Sequence, residues 1–77
     1  MNANPNNIMN ILLTINSENE FFCGINRQQC TGIIDDFEIK FRLGDLEDET
    51  FVFTVFNLVK SAKRNNNLKL SISNSII

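Results

Sequence analysis

The chain contains no histidine, tryptophan or tyrosine. Without histidine there is no imidazole to move protons near neutral pH. Ser-His and Cys-His nucleophiles and His-ligated metal sites are excluded with it. Glycine is scarce: Gly24, Gly32 and Gly44 are too dispersed to form a phosphate-cradling loop. Charge of one sign is also missing, with 7 Lys and Arg against 9 Asp and Glu and a formal net charge of −2. A polybasic nucleic-acid arm and an acidic DNA mimic both need a large single-sign field. No apolar run approaches the roughly 18 residues of a membrane helix, so no membrane span is expected. The first residues, Met1–Asn7, carry no Lys or Arg, and the aliphatic patch Ile8–Ile15 is broken by Asn10 and Thr14. This is not a signal-peptide pattern, and the expected location is cytoplasmic.

What remains is a chain of 77 residues, enough for one small domain with a thin core. Its hydrophobic share of 43% and charged share of 21% are those of a folded globular domain. Asn (13), Ile (10) and Phe (7) are abundant. All three have AT-rich codons, which fits a bacteriophage, a mobile element or an AT-rich genome and says nothing about chemistry.

Residues 1–7 read as a flexible polar tail and residues 8–77 as the domain. Ile8–Asn16 reads as a first strand, with Ile11, Leu13 and Ile15 on one face and Leu12 on the other. Apolar residues on both faces suit a central strand. Ser17–Glu20 is a turn cluster. Phe21, Phe22 and Cys23 begin a second strand, which turns at Asn26-Arg27 and returns through Cys30–Ile34. That hairpin sets Cys23 directly opposite Cys30, within reach of a disulfide. Reduced, buried thiols are the favoured alternative in a chain without an export signal. A bridge would go with an extracytoplasmic, processed fragment.

Phe37–Leu43 has the clearest alternation. Phe37, Ile39, Phe41 and Leu43 alternate with Glu38, Lys40 and Arg42; Phe37, Ile39 and Phe41, with Val55 further along, are expected to be buried, and Glu38, Lys40 and Arg42 to face solvent. The next segment reads in two ways. As a helix it has Asp45 as N-cap, Glu47, Asp48 and Glu49 in the first turn, and Lys60, Lys63 and Arg64 in the last. Asn65 would take the left-handed C-terminal position. Phe51, Val52, Val55, Phe56, Leu58, Val59 and Ala62 then form one apolar arc. Phe53 falls outside the arc, among Thr50, Asn57 and Lys60. Local propensity disagrees, because Thr50–Phe56 contains only β-branched and aromatic residues. A strand over Thr50–Thr54 followed by a shorter helix is the compromise, but caps, charge and arc agree on the helix. A last strand over Leu68–Ile76 has Leu68, Leu70, Ile72 and Ile76 on one face. The expected fold is α+β: an antiparallel sheet of four to five strands with one helix packed on one face.

The acidic groups Asp35, Asp36 and Glu38 sit at an element junction, where solvated carboxylates are the expectation. Asp45, Glu47 and Glu49 alternate like the start of a calcium loop, but Thr50 and Phe56 occupy the positions that need Gly and Glu. No cofactor, metal or catalytic residue is assigned. The expected function is non-catalytic protein binding by surface occupancy, as in an inhibitor, immunity-type or accessory protein. Phe53, Lys60, Lys63 and Arg64 are the partner-binding candidates, with Asp45, Glu47 and Asp48 as an acidic complement to a basic partner. The last strand, 68–76, lacks a guard beyond Lys69 and is the candidate edge for a homodimer. The alternative is a nucleic-acid binder using the basic helix end, where Lys60, Lys63 and Arg64 are joined by Lys69.

Overall fold

A computed structural model describes residues 10–42 and 48–73. The expected tail, Leu43, the candidates Asp45 and Glu47, and the end of the last strand lie outside the described residues. The described elements are β1 (Ile11–Ile15), β2 (Glu20–Ile25), β3 (Gln28–Ile34), β4 (Glu38–Arg42), α1 (Glu49–Lys63) and β5 (Lys69–Ser73). The strands form one sheet in the order β1-β2-β3-β4-β5. Neighbours from β1 to β4 are antiparallel, while β4 and β5 are parallel. The fold is α+β, with a mostly antiparallel, mixed sheet. The parallel pair follows from α1, which carries the chain back along the sheet, so that β5 starts at the same end as β4.

Local chemistry sets each turn. Between β1 and β2 the Asn16 side chain accepts the N–H groups of Glu18 and Glu20, both at 2.9 Å, and Asn19 is left-handed at φ 62°. Asn26-Arg27 makes the two-residue turn of the β2–β3 hairpin, with Asn26 at φ 58°. Asparagine tolerates this conformation better than most residues. Asp35 Oδ1 accepts the N–H groups of Phe37 (2.9 Å) and Glu38 (2.8 Å), which holds the bend into β4.

This bend overturns one expectation. Phe37 is not the first core residue of its strand: it stands in the bend, 76% exposed. The alternation runs one residue beyond the ladder. Ile39 and Phe41 are buried as expected, Lys40 and Arg42 are exposed, and Glu38 is half-buried. The register places Ile11, Leu13 and Ile15 of β1, Phe21, Cys23 and Ile25 of β2, and Cys30, Gly32 and Ile34 of β3 on one face. Ile39 and Phe41 of β4 and Leu70 and Ile72 of β5 complete it. The core lies between this face and Phe51, Val52, Val55 and Val59 of α1.

The helix reading holds and the strand compromise does not. The cap, however, is Asp48 rather than Asp45: its side chain accepts the Phe51 N–H at 3.1 Å, and the Val52 N–H donates to its carbonyl. At the other end Arg64, not Asn65, takes the left-handed position at φ 55°. Asn65 instead turns the chain onward, its Oδ1 accepting the Asn67 N–H at 2.9 Å. Phe56 and Leu58 are partly packed on the core, but Ala62 is exposed, because the apolar arc reaches past the edge of the contact. β1 is an edge strand rather than a central one.

Candidate protein-interaction site

The outer side of α1 begins from a consequence of helical spacing. With Phe51, Val52 and Val55 turned to the sheet, Phe53 is turned away, and it is 53% exposed as its position outside the arc implied. Thr50 and Asn57, its neighbours one turn to either side, are exposed as well. Phe53 therefore stands among small polar groups.

The charged candidates are mostly engaged within the molecule. Asp48 is the helix cap. Lys60 lies over the Phe56 ring, 4.5 Å from its centroid. Lys63 Nζ donates to Asn19 Oδ1 at 3.1 Å, tying the helix end to the β1–β2 turn. Arg64 closes the helix with its backbone, its N–H donating to the Ser61 carbonyl. Lys69 does not join this cluster. It pairs in register with Glu38, whose neighbour along the face is Lys40, so its side belongs to the face of the sheet without the helix. The expected gathering of four basic groups thus divides between two sides of the molecule.

The acidic junction is also solvated and locally occupied. Lys40 Nζ lies 3.2 Å from Asp35 and 3.8 Å from Glu38. The two backbone N–H groups of Phe37 and Glu38, with Lys40 adding to them, hold the Asp35 carboxyl below the usual carboxylate range. Among the described residues no group of three or more Cys, Asp or Glu side chains is arranged to hold a metal ion.

Cys23 and Cys30 pair directly across β2 and β3, as the hairpin arithmetic required, and both thiols are free and buried. Burial pushes the Cys23 thiol up. Burial, reinforced by neighbouring Cys23, pushes the Cys30 thiol up to about 12. Protonated thiols are poor nucleophiles at neutral pH. The Ile34 N–H donates to the Asn19 carbonyl, so odd-numbered β2 residues bond to β3. Cys23–Cys30 is then a hydrogen-bonded pair, in which the side chains stand farther apart than in the alternate kind.

Two surface features escaped the sequence reading. The first is the outer edge of β1, with which no described strand pairs and where Ile11 is 47% and Leu12 56% exposed. The second is the helix-free face of the sheet, where Phe22 stands half-buried between two shallow hollows. One lies beside Thr14, Thr31 and Arg42, the other beside Leu12, Gly24 and Gln29. The aliphatic run in β1 was the available signal, but a two-sided pattern describes a strand with neighbours and an unprotected edge equally well. No described helix is long and apolar enough to cross a membrane. Comparison of the chain with protein-family models, curated proteins and solved structures finds no match.

Proposed function

We propose that this chain is a non-catalytic protein-binding module that acts by occupying a partner's surface, as an inhibitor, immunity-type or accessory protein does. The observation that carries this reading is Phe53. A residue of this size contributes most to stability when buried, yet it stands outward on a helix whose other face supplies the core. Aromatic side chains set among small polar neighbours are effective interface anchors, because they bury much apolar area with little loss of side-chain freedom. Exposed Asn57 and Thr50 provide hydrogen-bonding groups at its rim. The partner would present an apolar socket.

The nucleic-acid alternative has less to rest on. It needs Lys60, Lys63, Arg64 and Lys69 on one accessible surface, and Lys69 stands on the other side of the sheet. The disulfide-stapled alternative would need Cys23 and Cys30, which are free thiols here, to be oxidised.

The test is affinity capture from the source organism with the wild-type chain and with Phe53→Ala and Asn57→Ala. The expected result is a partner retained by wild type and largely lost by Phe53→Ala, an affinity drop of about 2 kcal/mol or roughly thirtyfold. The thermal midpoint should barely move. A large fall in thermal midpoint with partner affinity intact would make Phe53 a folding residue and remove the basis of the reading.

A further inference from the structure

The outer edge of β1 has a backbone pattern with a specific complement. The Asn26 N–H donates to the Asn10 carbonyl at 2.8 Å, and the Asn16 N–H to the Glu20 carbonyl at 3.0 Å. In an antiparallel ladder the bonded side alternates along the strand. Leu12 and Thr14 therefore bond to β2, while the N–H and C=O groups of Ile11, Leu13 and Ile15 point away from the sheet. Among the described residues nothing pairs with them.

Proteins ordinarily protect such an edge with Lys, Pro, a bulge or an inward charge. The strand Ile-Leu-Leu-Thr-Ile contains none of these, and its ladder to β2 is unbroken. It exposes an aliphatic side chain on each face, Ile11 on the helix side and Leu12, beside exposed Thr14, on the other.

We propose that β1 pairs antiparallel with β1 of a second copy of this chain, joining the two sheets about a twofold axis at Leu13. The pattern is symmetric about that residue. Leu13 faces Leu13 of the second copy, Ile11 faces Ile15, and Leu12 faces Thr14. Every outward N–H and C=O of Ile11, Leu13 and Ile15 then meets a complementary group, and no other antiparallel register engages all of them. On the helix side the row Ile11, Leu13, Ile15 meets its own copy and extends the core across the junction. On the other side Leu12 is covered next to Phe22. No charge is brought opposite a like charge, because β1 has none.

The opposite edge fits a second copy less well. The Lys69 N–H donates to the Phe37 carbonyl, so Lys69 and Ser71 bond to β4, and only Leu70 and Ile72 of the described strand face outward. Lys69 also guards its start. A head-to-tail β1–β5 contact would propagate into a filament, whereas β1–β1 pairing is isologous and closes as a dimer.

The experiment uses the full chain. Sedimentation equilibrium over the micromolar to millimolar range is combined with residue-resolved amide hydrogen exchange. The expected mass at the upper end is twice 8.8 kDa, with the Ile11, Leu13 and Ile15 amides becoming protected as the dimer forms. Ile11→Pro removes an outward N–H that β2 does not use, and edge strands tolerate Pro at such positions. Leu12→Lys adds a guard charge at a side chain that is already exposed. Both variants should remain monomeric with an unchanged circular dichroism spectrum. Phe53→Ala should still dimerise, which separates this proposal from the partner-binding reading. A monomer at every concentration would overturn it. So would a dimer that both edge variants leave intact, a dimer whose three amides exchange freely, or protection of those amides already in the monomer.

Discussion

At the scale of single residues, the abundance of asparagine has a structural use. Asn16, Asn19, Asn26 and Asn65 each make a turn, through a side-chain oxygen that accepts a backbone N–H or through a left-handed backbone. The glycines of the sheet divide by the space around them. A Cβ on Gly32 would fall well inside contact distance of the Lys40 carbonyl and the Phe21 ring. That ring lies across Gly32 and meets Phe41 edge-on at 5.4 Å between centroids. Two aromatic rings can share the centre of the core because the residue between them has no side chain. Gly24 is different: a Cβ there would meet its nearest neighbours at 3.6 Å, an ordinary contact. Gly32→Ala is therefore expected to destabilise the fold by about 1–3 kcal/mol through overpacking, and Gly24→Ala to leave it unchanged or slightly more stable. Urea unfolding of the two variants beside wild type measures this. Equal midpoints for Gly32→Ala and wild type would show that the rings yield without cost.

At the scale of elements, α1 shows how competing local signals are decided. Its β-branched and aromatic residues are weak helix formers, but the loss per residue is a few tenths of a kcal/mol, whereas each buried Val or Phe contributes about 1.5–3 kcal/mol. One coherent buried face outweighs the propensity of the residues that make it. The Asp48 cap contributes separately. Asp48→Ala is expected to cost about 1 kcal/mol, a fall of roughly 4–8 °C in thermal midpoint for a domain of this size, while Asp48→Asn should keep most of the stability. A fall of the same size in both variants would assign the effect to charge rather than to the hydrogen bond with Phe51. The helix, the Asn26-Arg27 turn and the Cys23–Cys30 pairing were legible because each depends on spacing within a short segment. The cap residue was displaced by three positions because the run from Asp45 to Glu49 offers several carboxylates and no local feature ranks them. Phe37 was misplaced because side-chain alternation does not reveal where the Asp35 turn ends the ladder. The edge position of β1 and the parallel β5 depend on which strands become neighbours, and that is decided by contacts distant in sequence.

At the scale of the whole molecule, the described residues bury no polar or charged side chain, so ionisable groups act on stability from the surface, with the thiol pair as the exception. Its two ends of the pH scale have different origins. Asp35 has a carboxyl held below its ordinary value of 3.8, so it contributes stability at neutral pH that is lost as the pH falls through its lowered value. The contribution is small because the group is open to solvent. The thiols act in the opposite sense. A folded-state value above the unfolded one means that the folded chain keeps a proton which the unfolded chain releases. The stability from this source is present below the ordinary thiol value of 9.0 and is lost between there and about 12, the value for Cys30. The other charged groups are common to wild type and the variant. The difference between wild type and Cys30→Ala therefore isolates the thiol. Cys30→Ala is expected to be less stable at pH 7, having lost core volume, and to lose stability less steeply from pH 9 upward. Denaturant midpoints measured in steps of pH test this. Parallel curves for the two proteins would mean that the Cys30 thiolate is solvated in the folded sheet, and that the hairpin opens at Cys23 and Cys30 more readily than the packing of α1 over them implies.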